Sequence, residues 1–465
     1  MLSVKDEKRR NEILNGNLTA TIISICAPIF LYNLFNSFYS VIDGVVVSKI
    51  DSASVSAVAS LSQIQHLLSS LGSGISAGGG IIVARYFGAG DMERARRNSN
   101  QTIALSSIII VLLLAICIPL ALPIMRFSRV PEELIKIGTS YFIMQIVTLA
   151  FVFYNSVFMA MQKAKGNTKI MFWLNILVMI IKLSLSLLFI WVMGKTDIVW
   201  VAIATMIGQA VMFVILLLMM IDKNNVFLLK LSEFKLKLED VKSIISISFP
   251  IFLGKFIFSF GKVSVNGMCE AYGPLVVGAL GVSNNMCGLA TTPINSFEEG
   301  TSTIISQNLG AGNLKRALDT FKRSFVMASL LGILGYVLIR FVCQDAIISL
   351  YNQNELAEGA EEFLALIKSI NRYDSLSVLA LAVNSATLGV LYGFGQTKMT
   401  MILNISRVFV FRIPVLWYLQ TFHTEIGAEA AGISMGISNI CIAIVSLGCL
   451  LIFVVRTGKR EHTIN

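Results

Sequence analysis

Ten ionisable residues interrupt otherwise apolar stretches of this sequence: Asp43, Lys182, Lys255, Lys262, Glu298, Glu299, Arg372, Asp374, Arg407 and Arg412. In hydrocarbon each such charge costs about 2.5–3.5 kcal/mol on insertion scales, so these groups should face a protein interior or a water-filled path. The chemistry they offer is proton or cation coupling and the recognition of charged solutes. Lys255 and Lys262, seven apart with Ser259 between them, share one helix face. Glu298 and Glu299 diverge by about 100° on a helix, so one of the two should face inward. Arg407 and Arg412, five apart, should lie on different faces, with Arg412 bonding backbone carbonyls freed near Pro414. Asp374 is the best candidate for a protonatable group in the latter half, with Glu298 or Glu299 next. The latter half thus sets five cations against three acids, which favours an anionic or zwitterionic solute.

The elements carrying these residues must be membrane helices. Of the 465 residues 55% are hydrophobic and 14% charged, with a mean hydropathy of +0.76. Soluble domains carry nearer 25% charged residues. Apolar runs longer than about 18 residues recur along the chain. They place twelve spans at 18–48, 54–85, 99–125, 133–161, 169–194, 198–221, 243–272, 275–307, 323–348, 362–392, 398–421 and 427–455. The charged start, "MLSVKDEKRRNE", precedes a long apolar segment without a cleavable signal's short core, so that segment should stay as the first span.

Charge distribution orients the spans. Lys5, Lys8, Arg9 and Arg10 precede span 1; Arg94, Arg96 and Arg97 follow span 2; Lys163 and Lys165 follow span 4. The connector 222–242, Lys315, Arg316 and the tail Arg456, Lys459 and Arg460 continue the pattern, while alternate loops include the acidic 354–362. By the positive-inside rule both termini are cytoplasmic, in a multi-pass protein of the cell (inner) membrane. The net charge of +10 is therefore topology, with no nucleic-acid partner implied.

The sequence also repeats itself. "YFGAGDMERARR" (86–97) returns as "NLGAGNLKRALD" (308–319), 222 positions on, and the same offset pairs Pro28 with Pro250. "KGNTK" (165–169) pairs with "FGQTK" (394–398), and Asn155 with Asn384, at an offset of 229. The organisation is an all-α polytopic protein of two pseudo-symmetric six-helix lobes, 1–221 and 243–465, joined by the cytoplasmic connector 222–242. Parallel internal repeats with a solute site between them are transporter architecture. The loop glycines should permit positive-φ reversals.

The stretches "VIDGVVVSKI" (41–50), "RYFGAGDMERA" (85–95), "AKGNTK" (164–169), "ISQNLGAGNLKRA" (305–317) and "VFRIPVLWYL" (410–419) resemble the multidrug and toxic compound extrusion (MATE) transporters. The resemblance implies a V-shaped pair of lobes and export of small organic compounds by alternating access, driven by inward H⁺ or Na⁺. It implies cation coupling at Asp43, with Thr205 a neighbouring hydroxyl. Where the family's fifth span reads Asn-x-x-x-Asp, this chain has Lys182 and Ser186. An ammonium cannot ligate sodium; reaching Asp43, it would take the cation's place. Protonation of Asp43 would then break the pair, a proton switch, although a static buried pair stitching spans 1 and 5 has the same composition.

The expected coupling residues are Asp43, Lys182, Ser186, Thr205 and Asp374. The expected solute cavity draws on Tyr39, Asn155, Lys255, Lys262, Glu298, Glu299, Arg372 and Asn384. His66, His423 and His462 are scattered, and no phosphate loop, nucleophile elbow or metal-ligand spacing occurs, so neither enzyme chemistry, cofactor nor resident metal is expected. The seven cysteines, mostly within spans, read as small buried residues. The expectation is a monomeric secondary exporter, H⁺ favoured over Na⁺, working among membrane lipids on small organic substrates. The alternative is a flippase or exporter of lipid-linked or organic anions using the cationic second half.

Overall fold

The computed structural model describes residues 3–48, 52–127, 132–194, 197–349 and 360–464. Within these helices the side chains of 38–48 and 52–60, among others, are not described. Tyr39 and Asp43 therefore have a described backbone only, and most of the acidic stretch 354–362 falls outside.

The described chain is helical. Its elements are α1 (Val4–Asn15), α2 (Leu18–Ser48), α3 (Ser52–Ala89), α4 (Met92–Cys117), α5 (Ala121–Phe127), α6 (Glu132–Ala164), α7 (Lys169–Leu187), α8 (Val199–Ile221), α9 (Leu238–Cys269) and α10 (Pro274–Gly310). They continue as α11 (Leu314–Val337), α12 (Gln344–Ser349), α13 (Ala360–Asp374), α14 (Ser377–Gly393), α15 (Thr397–Ser406), α16 (Ile413–Phe422) and α17 (Glu429–Ile464). Eleven described spans are long and apolar enough to cross a membrane, and α13 with α14, bent by 42°, makes a twelfth where the pair is counted as one span. The break falls at Ser375–Leu376, directly after Asp374. Large apolar side chains such as Val111, Trp173, Leu218, Phe341 and Ile444 stay exposed, as helices facing lipid require.

Two compact units form, Met1–Phe256 with Ser306–Leu314, and Ile257–Ile305 with Lys315–Asn465. Their boundaries differ from those of the sequence repeat, because the start of α9 and the end of α10 pack within the first unit. The glycines of α3 allow this. A methyl on Gly78 would sit 2.1 Å from Ser248 Oγ, and one on Gly74 would sit 2.5 Å from Phe252 Cβ. In hydrocarbon, where apolar surface gains nothing by pairing with apolar surface, such close backbone approach is what holds helices together. Each unit has its own core: Leu61, Ile110, Phe142, Phe153 and Val201 in the first; Val265, Ile294, Ile370, Val378, Val408 and Leu416 in the second.

The repeated phrase divides its labour between two glycines. Gly90 and Gly312 take the positive φ of the reversal, 83° and 74°. Gly88 and Gly310 stay helical and supply contact instead. A Cβ on Gly88 would meet Gln307 O at 2.1 Å, and one on Gly310 would meet Arg85 O at 1.9 Å. The other repeated turn matches likewise, with Gly166 at φ 79° and Gly395 at φ 77°.

Charged segments tie down the first unit. The connector segment docks on the start of α4: Arg96 pairs with Glu233 at 2.9 Å and Arg97 with Asp240 at 2.7 Å. Asn100 donates to Glu233 Oε2 at 2.8 Å, and its Oδ1 accepts from the Lys230 backbone N–H. Helix α1, N-capped by Ser3, packs on the same unit. Its Arg10 donates to the carbonyls of Phe87 and Gly88, at 2.9 and 2.8 Å.

Candidate functional site

Of the predicted coupling residues, Lys182 and Ser186 lie on α7 and Thr205 on α8 of the first unit. Lys182 and Ser186, one turn apart on α7, are both buried, at 5% and 2% exposure. Ser186 Oγ is buried and has no hydrogen-bond partner among the described residues. On α8, Thr205 donates to Val201 O, and Gly208 leaves room where its Cβ would lie 3.8 Å from that of Lys182. Asp43 lies on α2, its side chain outside the described ones, as does that of Tyr39. Lys255 is half-buried near the end of this unit's share of α9.

Asn155 and Asn384 carry the repeat into the interior. Both are buried, and among the described residues neither Oδ1 has a partner. Asn155 donates to the carbonyl and side-chain oxygens of Gln209. A buried amide oxygen left unbonded is uncommon, and here one occurs at the same repeat position of each unit.

In the second unit the charged residues converge. Asp374 ends α13 at the bend, 2% exposed, and accepts a hydrogen bond from Ser283 Oγ at 3.1 Å. Arg407 and Arg412 bracket a π-helical stretch between α15 and α16, where Ile413 N–H bonds Val408 O, five residues back. Pro414 has no N–H to offer the carbonyl four residues before it, which loosens the α-helical pattern there. Bonding at a spacing of five stacks residues five apart on one face. The two guanidiniums therefore sit together, correcting the expectation that they diverge. Arg407 Nε donates to Asn439 Oδ1 at 2.7 Å, and Arg412 Nη2 donates to the same atom at 3.1 Å. Arg412 Nε reaches Ser438 Oγ, so both its partners are side chains of α17 and none is a backbone carbonyl freed by the proline.

Lys262 joins them across an aromatic ring. Its Nζ lies 5.9 Å from the Phe258 centroid, and Arg407 Cζ lies 4.8 Å from the same centroid. Lys262 is exposed at the protein surface, whereas Arg412 is only 2% exposed. Among the described residues none of these three cations has a carboxylate within 4 Å. Glu298 and Glu299 are both half-buried. Arg372 is exposed and lies over the Tyr373 ring, whose hydroxyl bonds Glu429. Phe258, Ser283, Ser438 and Asn439 were missed by charge counting. Their signal was a polar or aromatic residue placed within an apolar span, beside a charged one on another helix.

Against this geometry stands the comparison with known proteins. The MatE family profile matches twice, over 28–188 and 250–418. The two matches begin on Pro28 and Pro250, the paired prolines of the repeat. The chain belongs to the MATE family. It is therefore a transporter and not an enzyme, with the MATE fold of membrane helices. The probable multidrug resistance protein YoeA of Bacillus subtilis is 23% identical, over 70% of this chain and 71% of its own length. YpnP of the same organism, named in the same way, is 22% identical over 92% and 93%. A MOP-superfamily transporter from Pyrococcus furiosus, described as having a binding pocket of reversed polarity, superposes with a TM-score of 0.90. It is 18% identical and covers 98% of this chain and 99% of its own, a likeness of fold alone.

Proposed function

We propose that this MATE protein exports small organic compounds across the cell membrane in exchange for inward protons, working as a monomer with both termini in the cytoplasm. Asp43 and Asp374 are the proton carriers. The observation that carries this is the setting of Asp374: buried, at the break of a bent span, bonded by Ser283 Oγ and ion-paired to no cation among the described residues. Discontinuous spans are where secondary transporters place their coupling sites. Lys182, buried where a sodium ligand would be needed, supports H⁺ over Na⁺. Substrates of drug size are supported by the names of YoeA and YpnP.

The test is flux of ethidium and, in parallel, of p-aminohippurate in proteoliposomes under an imposed pH gradient or, separately, a sodium gradient. Flux driven by ΔpH alone and lost in Asp43→Asn and Asp374→Asn is expected. Sodium-driven flux untouched by either substitution would refute the proposal.

A further inference from the structure

We propose that Lys262, Arg407 and Arg412 form a recognition site for the anionic group of a small organic substrate: a carboxylate, sulfonate or phosphate. This names the substrate class of the exporter reading and rests on that reading for transport, although binding is measurable without it.

The donors are present and uncommitted. A guanidinium has five N–H donors and an ammonium three. Protein bonds take one donor of Arg407 and two of Arg412, and among the described residues none of Lys262. The one oxygen the arginines share belongs to a neutral amide, which orients both and neutralises neither. Among the described residues no carboxylate lies within 4 Å of Lys262, Arg407 or Arg412. Three cations held together within a membrane span are costly, and an anion arriving among them removes that cost.

The arrangement has a front and a back. Arg412, fully buried, is the backing charge; Arg407 is half-buried, and Lys262 is exposed. Phe258 and Lys262 are four apart on α9, hence on one face, so the ring that gathers Lys262 and Arg407 also lies beside the anion's place. Phe258 is only partly buried against the core, which leaves apolar surface for an organic body. A planar guanidinium fork matches carboxylate and phosphate oxygens better than a spherical ion.

The experiment is equilibrium binding of p-aminohippurate to the purified full-length protein in phosphatidylcholine nanodiscs, with ethidium and chloride as comparison ligands. Saturable, salt-sensitive binding of p-aminohippurate is expected, weakened about tenfold or more in Lys262→Gln and in Arg407→Gln. Lys262→Arg should bind nearly as wild type. If Arg407→Gln does not purify as a single species, Arg407→Lys carries the same test, keeping charge but losing the fork. No p-aminohippurate binding, equal binding by wild type and variants, or binding of chloride alone would each overturn the site. Nanodiscs containing phosphatidylglycerol separate two sources of the same chemistry. Loss of p-aminohippurate binding there assigns the site to a lipid headgroup; retention assigns it to a free organic anion. No gradient enters these measurements, so a failure of proton coupling leaves their result intact.

Discussion

Arg407 and Arg412 donate to one oxygen, Asn439 Oδ1, at 2.7 and 3.1 Å. A regular α-helix would turn residues five apart away from each other; the π-helical stretch between them turns them together. Asn439 therefore joins α17 to two cations at once. Asn439→Leu removes the acceptor and leaves charged donors buried, which should cost about 2 kcal/mol or more. The expected outcome is a melting temperature several degrees lower in detergent. Asn439→Asp supplies a carboxylate to the same donors, so it should raise the melting temperature while abolishing anion binding at the cluster. A variant that changes neither would show that the shared oxygen is incidental.

The two kinds of loop glycine predict different costs. Gly310→Ala drives a methyl to 1.9 Å from Arg85 O, a backbone atom that cannot move alone. It should cost about 3 kcal/mol or more, at or beyond the upper end of overpacking effects. Gly312→Ala meets nothing within 4 Å and suffers only its φ of 74°, about 1–2 kcal/mol. Melting curves of the two purified variants, compared side by side, check the order; the reverse order would discredit the close-approach account.

Arg10 caps the end of α3 from another helix. The fork gives Gly88 O, a carbonyl that a helix C-terminus leaves open, its hydrogen bond and adds a second to Phe87 O, which also accepts from Gly90 N–H. Arg10→Ala should cost about 1–2 kcal/mol, read as faster hydrogen exchange in the backbone around 86–92. Arg10→Lys, without the fork, should recover only part of the protection.

Lys165 gives the first unit a pH dependence. Burial pushes its ammonium below the ordinary 10.5, and Asp6, 3.9 Å away, offsets this only in part, with Arg9 adding to the depression and Asp222 opposing it. The folded state thus loses the proton before the unfolded state does. Between the depressed value and 10.5 the unfolded chain holds more protons, so stability rises with pH. Relative to Lys165→Met, wild type should gain melting temperature as pH climbs through that window. A constant difference would mean that the ammonium is not penalised.

Hydropathy and charge spacing in the sequence determined the twelve spans. Self-similarity determined the repeat, down to turns at Gly90 and Gly312 and at Gly166 and Gly395 that adopt matching positive φ. Those properties are local: a run of apolar residues must leave water, and a reversal needs a residue that tolerates positive φ. Only the tertiary structure decided which charges meet. Arg407 and Arg412 share a face because bonding at a spacing of five displaced the spacing of four before Pro414. Their partner Asn439 belongs to another helix, invisible to any periodicity within their own. Gly88 and Gly310 likewise read as turn residues until the backbones of Gln307 and Arg85 occupy the space a side chain would need. Contacts between helices distant in sequence follow from how backbones approach, and that depends on every helix at once.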